Sequence, residues 1–205
     1  MSSETMCILC RGTSMKLADK YFKDFKDMII VNEFNQEIGH DFVQRIFDGK
    51  NITHIVSRDI PSILNPSIYV DYGIKNVILN IFQEEYQKGT PVRGILRSLG
   101  MNTSCLTEGM KPFQKEGGGF PTTGMISIVY SVVALQKKDI HVAGMDFYQK
   151  NYFIDQKPTE HQVKKGKLMV EYITKFAQKH PDVNFTFYTH SSFKGDSENV
   201  RIIKE

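Results

Sequence analysis

The sequence predicts an α/β fold, a mostly parallel sheet with helices on both faces. Three observations lead there. Short continuous apolar runs bounded by turn residues read as strands buried on both sides. Segments with helical spacing separate them, as parallel pairing requires. Polar residues cluster just after several of the runs, at the strand ends where parallel sheets hold ligands. The 205 residues fit one domain, and 40% hydrophobic content suffices for a full core.

The elements follow in order. Residues 6–10, Met-Cys-Ile-Leu-Cys, form a first strand ending in the turn Arg11-Gly12-Thr13-Ser14. Residues 16–27 mix charge with Leu17, Tyr21, Phe22 and Phe25 at helical or loop spacing. A second strand at 28–31 ends at Asn32. Residues 41–47 put Phe42, Val43, Ile46 and Phe47 on one helical face. Strands follow at 53–57 and 75–81, then a short helix at 82–87 and a turn at Gly89-Thr90-Pro91. Residues 93–99 fit helix or strand, and 92–115 carry no clear pattern. Residues 116–119, Glu-Gly-Gly-Gly, read as a hinge or loop.

The clearest unit comes next. Phe120-Pro121-Thr122-Thr123-Gly124 leads into a helix at 125–135, a strand at 140–144 and a polar, aromatic loop at 145–155. Residues 162–180 form an amphipathic helix stopped by Pro181. Residues 184–189 are a last core strand, and Val200–Ile203 a short closing one. The whole chain, 1–205, reads as a single domain with a lid around 149–162.

Charge excludes several functions. A net charge of +3 with no concentrated basic stripe argues against nucleic acid as a partner. Lys164, Lys165 and Lys167 read as the solvated face of a helix. No run approaches the roughly 18 apolar residues of a membrane span; the best, 125–135, contains Ser127 and Ser131. The acidic N-terminus has no signal-peptide pattern, so a cytoplasmic location is expected. Peripheral membrane contact and homo-oligomerisation stay open. Cys7 and Cys10 form a C-x-x-C inside a strand and read as buried thiols. With Cys105 they make an odd count, which does not suit a disulfide framework. His40, His54, His141, His180 and His190 show no metal-ligand spacing, and no metal or cofactor is expected.

Candidate chemistry sits at the strand ends. Thr122 or Thr123 can cap the following helix, whose free N–H groups favour a phosphate or carboxylate. Tyr148 and Tyr152, beside Asp146 and Phe147, can donate hydrogen bonds to developing negative charge. His161, at a helix start, fits a general base.

These residues resemble a family. Pro121-Thr-Thr-Gly-Met125, a helix, then Ile140-His-Val-Ala-Gly-Met-Asp-Phe-Tyr-Gln149 is similar to the central block of the small bacterial CMP-sialic acid sialyltransferases, glycosyltransferase family 42. Eukaryotic sialyltransferases share a more distant likeness. Cys7 to Met15, Val31 to Phe34, His161 with Tyr172, and Phe185 to Ser192 resemble further blocks in the same order. The likeness is sharpest from Pro121 to Tyr152 and weakest over 60–115.

The resemblance implies a modified Rossmann-like, GT-A-variant domain. It would move sialic acid from CMP-sialic acid to a glycan hydroxyl without a metal and with inversion. It implies His161 as base and Tyr148 and Tyr152 as stabilisers of the departing phosphate. It places Gly12, Thr13, Ser14, Asn32, Arg58, Thr122, Thr123, Gly124, Gly144, Asp146 and Phe147 around the donor. The chain departs from the pattern in three places. Arg11 and the Ser57-Arg58-Asp59 turn replace family asparagines, and Phe120 stands where the family has a basic residue. Two other readings share the fold: a nucleotide- or sugar-binding module without turnover, and a transferase for another CMP-activated acidic sugar.

Overall fold

The computed structural model describes residues 4–114 and 120–205. The glycine hinge at 116–119 and the first part of the N-terminus, 1–3, lie outside the described residues. Eight parallel strands form one sheet: β1 Thr5–Leu9, β2 Asp27–Val31, β3 Asn51–Val56, β4 Asn76–Phe82, β5 Asn102–Leu106, β6 Asp139–Ala143, β7 Asn184–Tyr188 and β8 Val200–Ile203. Their spatial order is β5-β4-β3-β2-β1-β6-β7-β8. The sheet is therefore all parallel, and Rossmann-like in character.

Helices connect the first seven strands: α1 Ala18–Tyr21, α2 Asp41–Phe47, α3 Pro66–Asp71, α4 Gln83–Lys88, α5 Pro91–Ser98, α6 Thr123–Val129 and α7 Glu160–Lys179. A loop without a helix joins β7 to β8. Strand alternation sends side chains to two cores. Ile8, Ile29, Ile55, Val142 and Phe187 pack against Met125, Val129, Met169 and Phe176 from α6 and α7. Cys7, Leu9, Met28, Ile30 and Ala143 pack on the other face against Phe22, Val43, Phe47, Ile68 and Leu96. Cys7 and Cys10 thus point into opposite cores. Both are free thiols, and burial raises both, Cys10 to about 12. None of the described helices is long and apolar enough to cross a membrane.

The departures from the sequence reading have local causes. β5 is an edge strand with mostly polar residues, Asn-Thr-Ser-Cys-Leu, only the last of them buried. An edge needs no apolar run, so periodicity does not reveal it. α3 is short, but it carries proper start signals: Pro66 in the first turn and Asn65 accepting from Ser67 N–H at 3.2 Å. Segment 93–99 resolves as helix, capped by Thr90 accepting from Arg93 N–H. α6 runs on as a π-turn, Tyr130–Ala134. Its serine hydroxyls are satisfied inside it, Ser127 on Gly124 C=O and Ser131 on Ser127 C=O, both at 2.7 Å.

The sheet order locates the site. β1 pairs with β2 on one side and β6 on the other, and the chain winds outward in opposite directions from that pair. The connections leaving β1 and β6 separate there, so a crevice opens at their carboxyl ends.

Candidate functional site at the sheet switch point

Two touching turns make the floor. Cys10 N–H donates to Ala143 C=O and Gly12 N–H to Gly144 C=O, each at 2.8 Å. Gly144 has φ +77°, and a Cβ there would sit 2.1 Å from Cys10 O. A Cβ on Gly12 would lie 2.6 Å from Asp146 Oδ2. Only glycines allow this approach. Asp146 then ties three strand ends together. Its buried carboxylate accepts from Ser14 N–H at 2.9 Å and His190 N–H at 3.0 Å, and from the Thr13 and Thr189 hydroxyls at 3.1 and 3.0 Å. Thr13 and Ser14 are therefore held beneath the cleft.

Above the floor is a cleft of about 250 Å³. Arg11, Gly12 and Asn32 line one side, Thr122, Thr123 and Gly124 another, and Gly144, Asp146, Phe147, Tyr148 and Tyr152 a third. Thr122 is the N-cap of α6, its hydroxyl accepting from Met125 N–H at 3.3 Å. The remaining N–H groups of that first turn have no acceptor within the helix. Gly124 is in close quarters as well, since a Cβ would come within 2.8 Å of Met145 Cε.

The loop after β6 is under backbone strain. Phe147 and Tyr148 are consecutive residues with φ of +52° and +55°. Bulky side chains rarely adopt that region, at about 1–3 kcal/mol each. Packing holds them there. Phe147 is buried against Phe193 and Phe187 at centroid distances of 4.8 and 6.3 Å. On the other side Gly166 of α7 presses on Phe147, where a Cβ would lie 2.0 Å from the carbonyl oxygen.

The strain aims Tyr148 at Tyr152, with ring centroids 6.0 Å apart. Burial raises both phenols, and Tyr152 raises Tyr148 further. Both stay protonated donors across the neutral range. Tyr152 OH accepts from Gln162 Nε2–H at 2.9 Å, while Gln162 Oε1 completes a capping box with Thr159 at the start of α7. The segment 149–162 is tied to the β1 turn in its middle. Gly12 and Tyr152 form an antiparallel bridge, and Phe153 N–H donates to Arg11 C=O at 2.8 Å.

Arg11 is largely committed inside the protein. Its Nε donates to Glu37 Oε1 at 2.5 Å, and Nη1 reaches Glu33 Oε1 at 3.4 Å. Its guanidinium carbon lies 5.8 Å from the Tyr152 ring centroid. Glu37 is fully buried. Asn32 has φ +58°, and its carbonyl accepts from the buried His54 Nε2–H at 2.6 Å.

Ten sequence-predicted site residues thus share one cleft: Gly12, Asn32, Thr122, Thr123, Gly124, Gly144, Asp146, Phe147, Tyr148 and Tyr152. Thr13 and Ser14 support its floor. Two others stand apart. Arg58 is exposed and pairs with Glu85 at 2.9 Å. His161 is exposed in the first turn of α7 and does not line the cleft. The sequence reading missed Lys165, which lines the cleft instead of belonging wholly to a solvated face. The signal was present: Lys165 is one helical repeat before the buried Met169, on the stripe that continues through Ile173 and Phe176.

Among known proteins, no protein-family model and no curated protein matches this chain.

Proposed function

We propose that this cleft binds a nucleotide-activated acidic sugar, and that the chain is a sialyltransferase-like glycosyltransferase on a GT-A-variant domain. The observation that carries the reading is the meeting of Thr122–Gly124 with Tyr148 and Tyr152 in one crevice. These are the positions that resemble the donor-binding and leaving-group positions of the CMP-sialic acid enzymes. The chemistry follows from what the groups can do. The donor carries a phosphate leaving group on an anomeric carbon, and its transition state is oxocarbenium-like. Two protonated phenols can hydrogen-bond the departing phosphate oxygens as they gain charge. His161 would take the proton of a glycan hydroxyl attacking the opposite face, giving inversion.

His161→Ala is expected to abolish transfer from CMP-sialic acid while CMP still binds. Survival of transfer in that variant would remove His161 from the reaction. A thermal-shift comparison of CMP, UMP and GMP tests the donor, and a preference for UMP or GMP would overturn the cytidine reading. One observation favours a second reading, a binding module without turnover: His161 is exposed and outside the cleft lining. A chain that binds CMP yet transfers neither sialic acid nor a related CMP-activated acidic sugar would establish that reading.

A further inference from the structure

We infer that Lys165 is the cation that binds the ligand's phosphate in this cleft. The inference rests on the nucleotide-sugar reading above. Four cleft-lining side chains carry formal charge: Arg11, Asp146, Lys150 and Lys165. Arg11 is engaged by Glu37 and Glu33, so its charge is already balanced. Asp146 is buried and takes four hydrogen bonds from the strand ends. Lys150 is exposed on the outer loop, whereas Lys165 is half-buried. Among the described residues, no carboxylate forms an ion pair with Lys165. A half-buried cation with no ion-pair partner among the described residues, lining a cavity, can take an anion from outside.

Backbone contact sets its position. Gly166 packs α7 directly onto the strained Phe147–Tyr148 pair, with the Gly166 Cβ position only 3.7 Å from Tyr148 Cβ. That contact fixes the adjoining residue, Lys165, relative to the loop bearing the two phenols. Gln162, one turn earlier, holds Tyr152 OH from the same helix. α7 therefore brings a positive charge to the cleft that receives Tyr148 and Tyr152. The sequence has no basic residue just before Pro121, where Phe120 stands. Lys165 supplies a cation to this cleft from a different element.

The test is a calorimetric titration of the full chain with CMP, cytidine and inorganic phosphate. Wild type, Lys165→Gln, Lys165→Arg and the exposed neighbour control Lys164→Gln are compared, each confirmed folded by circular dichroism. Lys165→Gln is expected to weaken CMP about tenfold, the scale of a charge-assisted hydrogen bond. Cytidine should bind unchanged, Lys165→Arg should recover most of the CMP affinity, and Lys164→Gln should match wild type. Equal effects of Lys165→Gln on CMP and cytidine, or none on either, would overturn the assignment. If wild type binds neither CMP nor cytidine, the nucleotide reading falls, and phosphate decides Lys165 separately. Loss of phosphate binding in Lys165→Gln supports the assignment; unchanged or absent phosphate binding in wild type and variant alike overturns it.

Discussion

His54 should make this protein acid-sensitive, and its position says by how much. The ring is fully buried on β3. Its Nε2–H donates to the Asn32 carbonyl at 2.6 Å, and its Nδ1 accepts from Tyr69 OH at 3.0 Å. Leu64 N–H in turn donates to Tyr69 OH at 3.2 Å. Burial lowers the imidazole from 6.5 to about 4, against an opposing pull from the Asn32 carbonyl. The unfolded chain therefore takes up the proton first. The neutral ring's contribution is complete above pH 6.5 and declines as pH falls, levelling off near pH 4. At roughly 1.4 kcal/mol per pH unit, that interval corresponds to about 3 kcal/mol. The assay is urea denaturation at intervals from pH 7 to 4, on wild type and His54→Gln. Glutamine can still donate to Asn32 and accept from Tyr69 but does not titrate. Wild type should lose about 3 kcal/mol more than the variant across the interval. Other titrating groups, including His180, are common to both proteins and cancel in the difference. Parallel curves would refute the reasoning, because His54 would then not be held neutral in the fold.

Three further outcomes follow from the same geometry. Gly166→Ala should destabilise the chain by about 1–3 kcal/mol in thermal or urea unfolding, because its methyl group would meet Phe147 O. Helix propensity alone predicts the opposite sign, a gain of about 1 kcal/mol, so the direction of the shift decides between them. Asp146→Asn should cost about 3 kcal/mol, since an amide NH₂ would face N–H and O–H donors that now meet a carboxylate; an unchanged melting temperature would mean the strand ends do not depend on it. Arg11→Ala should cost about 3–5 kcal/mol by stranding the buried Glu37. The double variant Arg11→Met with Glu37→Leu should recover most of that loss, and a double variant no more stable than the single would show that Glu37 is not the cause.

Much of the fold was legible because strands buried on both faces must be continuous apolar runs. That constraint exposed the six inner strands; of the two edges, β8 still showed as the short apolar stretch Val200–Ile203, and β5 escaped because it is polar. The site was legible where backbone chemistry is local. Thr122 or Thr123 reads as a cap, and the fold uses Thr122; Gly12 marks a turn, while Gly144 reads only as the end of a strand. His161 and Arg58 show the limit of such reading. Both residue types suit the expected chemistry, but exposure and partners belong to the folded chain, which leaves both outside the cleft lining.

The sequence by itself determined the α/β class, the order of most elements and the segment 121–152 as a cluster of ligand-competent groups. Periodicity, caps and turn residues act within a few positions along the chain, so their signals survive without a structure. The tertiary structure alone decided that β1 and β6 are neighbours, and so where the crevice opens. It also decided that Glu37 engages Arg11, that Asp146 gathers three strand ends, and that Gly166 presses α7 onto Phe147 so that Lys165 meets the cleft. These are contacts between residues far apart in sequence. Their energies depend on burial and distance, which the order of residues does not carry until the sheet has formed.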